Sequence, residues 1–168
     1  MELKNIYGDV IFALESAKTV LELVTAALAA SANLDCANLN GASLNGASLD
    51  RANLNRASLD GANLDCANLN GASLNGASLD RALIDGKPIV TLRVFSGLYP
   101  YTVQAVLFQD GSRWVRMGCL WKSLDEWASV GIRKSNLSEF PDDGSDRCEE
   151  RVAAFEFAKA AALRLKEG

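Results

Sequence analysis

The sequence contains no histidine. That absence removes Ser-His-Asp and Cys-His nucleophiles, imidazole general bases and His-ligated metals from consideration. Cysteine is sparse. Cys36, Cys66, Cys119 and Cys148 show no CxxC spacing and no clustering, so neither a zinc site nor a disulfide framework is expected. Three prolines and 7% aromatic residues leave few rigid anchors for a small ligand. The most apolar stretch, Val20 to Ala30, is broken by Glu22 and is too short to span a bilayer. Residues 1–5 lack the basic-then-apolar pattern of a leader. Nor is there a basic excess: 17 Lys and Arg against 21 Asp and Glu give a net charge of −4, which argues against direct nucleic-acid or anionic-membrane binding. The expectation is a soluble, reduced, cytoplasmic protein with no cofactor, no metal and no membrane contact.

What the sequence does have is a repeat. From Ala32 to Gly86 it runs through eleven consecutive five-residue units, beginning ANLDC ANLNG ASLNG ASLDR. Alanine opens every unit, and leucine holds the third position in all but the last, where Ile84 stands. A period of five fits neither an α-helix nor a flat strand, and recurrent Asn, Ser, Asp and Gly would break a helix. It does fit coils in which leucine and alanine face inward, polar residues coat the outside, and neighbouring coils bond along an axis at roughly 4.8 Å.

The run resembles the pentapeptide-repeat family, whose consensus is alanine, Asp or Asn, leucine and two freer positions. The resemblance implies a mainly β fold, a right-handed quadrilateral β-helix with four units per coil. This copy departs from the family pattern in using Asn or Ser, never Asp, before the leucine. Eleven units then make just under three coils, about 13 Å tall. Leu34, Leu54 and Leu74 would stack on one face, and Asp60 would stack on Asp80 and Asp65 on Asp85 on adjacent walls. Residues 32–52 and 62–82 are identical over 21 positions. That offset of one and a half coils would put Cys36 and Cys66 on opposite walls, too far apart for a disulfide or a shared metal.

The flanks are different in kind. Residues 1–31 should hold a short extended stretch, Asp9 to Leu14, and a helix from about Ala17 to Ala30 with Ser16 as N-cap, covering the open end of the coils. Residues 87–168 should form an α+β module. Strands are expected at 89–95, 101–108 and 113–119, in a three-stranded antiparallel meander. Ser96-Gly97 and Asp110-Gly111 mark the turns. A helix around Ser123 to Ser129 has Ser123 and Glu126 as a capping box, and a last helix, Arg147 to Lys166, should bury Phe155, Ala158, Ala162 and Leu165. The stretch Val115 to Trp121, followed by Leu124-Asp125-Glu126-Trp127, resembles uncharacterised pentapeptide-repeat proteins of bacterial genomes and prophages, a likeness that implies no activity.

Catalytic candidates are few. Cys119 has only Arg116 or Lys122 nearby as a cation, and a buried structural cysteine is the plainer account. Cys148, at the start of the last helix, reads as an inert half-exposed thiol. Asp142-Asp143-Gly144-Ser145-Asp146 lacks the spacing of a calcium loop, and Asp146 with Glu149 reads as a capping box.

Two interaction surfaces are candidates. In the C-terminal module, strand alternation puts Trp114 and Arg116 on one side and Arg113, Val115 and Met117 on the other. With Trp121 and Trp127, the aromatic and cationic residues Arg113, Trp114 and Arg116 have the composition of interface anchors, although core filling explains them equally well. On the rod, Asp60, Asp65, Asp80 and Asp85 are the candidate acidic surface. Some members of the resembled family are acidic rods that imitate duplex DNA and inhibit enzymes such as type II topoisomerases, and a phage-defence nuclease would be a comparable target. Six aspartates partly offset by three arginines are thin beside DNA's one charge per roughly 1.7 Å. The expectation is therefore a non-enzymatic protein-binding module, with a protein partner of unknown identity, its C-terminal module making the contacts and its rod acting as scaffold. A homodimer is left open.

Overall fold

The computed structural model describes residues 1–95, 102–117, 120–132 and 145–165. The expected Ser96-Gly97 turn, Cys119 and Asp142 to Gly144 lie outside the described residues. The chain divides into two compact units, 1–91 and 92–168.

The first unit opens with an antiparallel ribbon, β1 (Glu2–Lys4) and β2 (Val10–Ala13), and a helix, α1 (Val20–Ala29). The helix starts later than Ser16 predicts. Thr19 is the N-cap, accepting from Glu22 N at 3.1 Å, while the Glu22 carboxylate accepts from Lys18 N at 2.7 Å. That Thr-x-x-Glu pairing satisfies amides which Ser16 is too far upstream to reach. Leu23, Val24 and Ala27 are its buried residues. The ribbon passes straight onto the first coil: Asn38 N donates to Lys4 O and Ile6 N to Cys36 O, both at 2.8 Å. Backbone groups that would otherwise form a bare edge are thereby paired.

Within the repeats the backbone bonds recur at twenty residues. Parallel bridges join 38 to 58, 43 to 63, 48 to 68, 53 to 73, 58 to 78 and 63 to 83. Leu39 N donates to Ser58 O and Leu59 N to Ser78 O, each at 2.8 Å. Four units therefore complete one coil, as the stacking of Leu34, Leu54 and Leu74 requires. All ten repeat leucines are buried, most of them completely. Burying each is worth roughly 2 kcal/mol, and the alanines beside them leave room for the close backbone approach.

The fifth position of every unit has positive φ, from Cys36 at 59° to Gly86 at 68°. Six of the eleven are glycine, which adopts this left-handed conformation freely, but Cys36, Arg51, Arg56, Cys66 and Arg81 adopt it too. The second and fourth positions divide the remaining polar work. Where the second residue is Asn, its side chain accepts from the amide two residues on: Asn63 takes Asp65 N at 2.8 Å, and Asn33, Asn38, Asn53 and Asn68 do the same. A serine is too short for that bond. At Ser58, Ser73 and Ser78 the fourth-position amide instead donates to the Asn or Asp one coil earlier. Asp60 N reaches Asn40 Oδ1 at 3.1 Å, Asn75 N reaches Asn55 Oδ1 at 3.0 Å and Asp80 N reaches Asp60 Oδ1 at 3.0 Å. Each serine hydroxyl donates to the same acceptor. Asparagine units thus close on themselves, and serine units tie one coil to the next.

The last unit turns back as a hairpin, β3 (Leu83–Ile84) with β4 (Lys87–Phe95), through Asp85-Gly86, both at positive φ. This is the two-residue turn favoured by strand twist.

In the second unit the sheet runs β4-β5-β6-β7, a meander of β5 (Val103–Phe108), β6 (Arg113–Met117) and β7 (Leu120–Ser123) after the end of β4. The expected three-stranded sheet thus gains β7, which is only four residues long and runs directly into α2 (Leu124–Val130). The helix α2 has the Ser123–Glu126 capping box. The final helix, α3 (Asp146–Arg164), is capped by Ser145, whose hydroxyl accepts from Cys148 N at 3.3 Å, so Asp146 becomes the first helical residue and not the cap. Phe155, Ala158, Ala162 and Leu165 are buried, and so is Cys148, which corrects the half-exposed expectation. Among the described residues no helix is long and apolar enough to cross a membrane.

Candidate interaction surface

The five aromatic and cationic candidates separate into two groups. Arg113 and Trp127 are structural. The Arg113 guanidinium donates to Ala162 O at 3.1 Å, to Leu165 O at 3.4 Å and to Gly111 O at 3.2 Å. It thus sits on the carbonyls at the C-terminal end of α3, where a cation is favoured by the helix dipole. Trp127 is 1% exposed, donates its indole N–H to Val115 O at 3.0 Å and packs against Phe155 at 5.0 Å. Trp127 is enclosed in the core, and Arg113, half-buried, is committed to the end of α3.

Trp114, Arg116 and Trp121 form the second group. In the β6–β7 register Arg116 stands opposite Trp121, so with Trp114 two positions earlier on β6 all three share one face of the sheet. The indoles of Trp114 and Trp121 are 5.2 Å apart and tilted by 39°. Phe108 on β5 meets them edge-on at 6.1 and 6.2 Å. All three members are half-buried. Sequence reasoning missed Phe108, although its distance from Trp114 across the Asp110-Gly111 turn was a usable signal. It also missed Tyr7, 76% exposed at the tip between β1 and β2, where Asn5 accepts from the Tyr7 and Asp9 amides at 2.9 Å and so fixes the turn.

The aspartates have mostly structural partners. Asp60 stacks beneath Asp80, as expected, but its Oδ1 accepts from Asp80 N and Ser78 Oγ. Asp65 Oδ1 accepts from Gly86 N at 3.0 Å. Asp80 is paired with Arg81 at 3.1 Å. Asp85 is exposed and engaged. Asp35 holds Arg56 at 2.8 Å, and this hydrogen bond, reinforced by the carboxylate charge, raises the Arg56 guanidinium above its usual value. The cysteines Cys36, Cys66 and Cys148 are free thiols, Cys36 and Cys66 lying two units apart around the coil. Among the described residues no three His, Cys, Asp or Glu side chains are grouped to hold a metal ion.

Leucine-lined coils closing every twenty residues, with unlike segments before and after them, define a tandem-repeat protein. Residues 32–65 and 62–86 match the family model for pentapeptide repeats, in eight copies, so this segment of the chain is a run of pentapeptide repeats. A search of curated proteins finds no match to the chain.

Proposed function

We propose that this chain is a non-enzymatic protein-binding module. Its repeats, as a right-handed four-sided β-helix, serve as a scaffold, and the second unit supplies the contacts. The observation that carries this reading is the Trp114–Trp121 pair at 5.2 Å beside Arg116 on one sheet face. Paired, half-buried tryptophans next to an arginine are what interface anchors are made of. The acidic, DNA-imitating alternative draws less support, because Asp60 and Asp65 spend acceptor capacity on the neighbouring coil and Asp80 is neutralised by Arg81.

The test is capture from bacterial lysate by the full chain at low and high salt, comparing wild type with Trp121→Ser and with Asp80→Asn/Asp85→Asn. A partner held in high salt, lost with Trp121→Ser and kept by the double aspartate variant supports the reading. A partner that is salt-sensitive, lost with the aspartate variant and indifferent to Trp121 overturns it.

A further inference from the structure

Four Asn-Gly pairs occupy the fourth and fifth positions of repeat units: Asn40-Gly41, Asn45-Gly46, Asn70-Gly71 and Asn75-Gly76. Asn-Gly is the dipeptide most open to spontaneous deamidation, since glycine has no side chain to hinder its own nitrogen. All four asparagines are exposed, so exposure does not distinguish them. The following amide does. Gly41 N donates to Asp60 O and Gly46 N to Asp65 O, both at 2.8 Å, because a further coil lies over them. Gly71, in the last coil, makes an interaction of its own. Gly76 stands in the last coil, where no repeat unit follows to take its N–H, and that N–H has no acceptor among the described residues. The Asn75 side chain is correspondingly loose. Asn40 Oδ1 and Asn55 Oδ1 each accept from the coil above, whereas among the described residues the side chain of Asn75 bonds only to Ser73 Oγ, at 3.2 Å.

We infer that Asn75 is a selective site of non-enzymatic modification, converted to aspartate and isoaspartate while Asn40 and Asn45 are protected by the coil stacked over them. The Gly76 nitrogen loses its proton to base and attacks Asn75 Cγ. Ammonia leaves, a five-membered succinimide forms, and water opens it at either carbonyl. One water is consumed, one ammonia is released, and no redox partner is needed. The aspartyl product adds a carboxylate to the row Asp35–Asn55–Asn75, next to Arg56, whose backbone N–H donates to Asn75 O at 2.9 Å. The isoaspartyl product lengthens the main chain by one carbon and spoils the five-residue period at that point.

The chain supplies its own control. Residues 42–48 and 72–78 are the same heptapeptide, ASLNGAS, so any difference between Asn45 and Asn75 comes from the fold. The experiment incubates the folded full chain in mildly alkaline buffer and follows Asn, Asp and isoaspartyl forms by fragmentation mass spectrometry, with a parallel sample in denaturant. In the folded chain Asn75 should react first, with Asn40 and Asn45 slower by roughly fivefold or more, since a bonded amide must open before it reacts. In denaturant Asn45 and Asn75 should react alike. Asn75→Ser should remove the early mass gain. Equal rates at Asn45 and Asn75 in the folded chain, an earlier reaction at Asn70, or no reaction at Asn75 would each overturn the inference.

Discussion

Replacing Gly61 by alanine isolates the cost of the left-handed fifth position. Gly61 has φ +67°, and a β-carbon there would meet nothing within 4 Å, so no clash contributes. An L-residue in this conformation costs roughly 1–2 kcal/mol. Lower entropy of the unfolded chain returns roughly 0.4–1 kcal/mol, leaving a net destabilisation of about 1 kcal/mol by the two ranges together. Cys66, exposed and at φ 55°, offers the reverse change: Cys66→Gly should stabilise by about 1 kcal/mol for the same reason. In a unit of 91 residues each step is a melting shift of about 4–8 °C, downward for the first variant and upward for the second. All three tryptophans, Trp114, Trp121 and Trp127, belong to the second unit, so fluorescence is blind to the repeats, and far-UV circular dichroism must follow the transition. If Gly61→Ala left the midpoint unchanged, or Cys66→Gly lowered it, backbone strain at the fifth position would not be what that position costs.

Asp60→Ala should destabilise the first unit by about 1 kcal/mol through loss of the acceptor for Asp80 N and Ser78 Oγ, whereas Asp60→Asn, which keeps a carbonyl oxygen there, should cost far less; urea midpoints read by circular dichroism decide it. Arg113→Met should lower the second unit's stability by about 1–2 kcal/mol by stripping the C-terminal carbonyls of α3, measured by tryptophan fluorescence. The Glu126 carboxyl is held below its usual value of 4.5 by the Ser123 backbone N–H first and its hydroxyl second. A carboxylate lowered in this way stabilises the fold fully above 4.5 and ceases to do so as pH falls through its folded value. The gap in urea midpoint between wild type and Glu126→Gln should therefore be widest at neutral pH and close on acidification. A constant gap would contradict it.

The inward half of the repeat was legible because burial enforces it. Leucine and alanine recur without a slip, while the twenty-residue bond period was implied by the family resemblance and not by the period of five itself. The left-handed fifth position was not legible, because Cys36, Arg51, Arg56, Cys66 and Arg81 hide what the six glycines suggest. Helix starts failed where two caps competed: Thr19 and Ser145 win because their oxygens reach the third amide along, and the Thr-x-x-Glu signature at 19–22 was there to be read. Strands β1 and β7 are too short to announce themselves and exist by pairing. Of the candidate anchors, alternation correctly parted Trp114 and Arg116 from Arg113, but it could not foresee that a helix end would claim Arg113. Sequence also put the acidic pairs in register without showing that the carboxylates turn toward backbone amides.

The fourth-position acceptors bear on how such a chain grows. Every fourth position is Asn or Asp, so a serine unit finds an acceptor beneath it whichever unit lies there, and an asparagine unit needs none. A copied block therefore need not land in its original row. In the second of the duplicated 21-residue blocks, displaced by one and a half coils, Ser73 and Ser78 find their acceptors on Asn55 and Asp60 of the coil beneath. The stack tolerates unequal recombination in steps of a single unit, and its length is free to drift without any matching set of compensating changes.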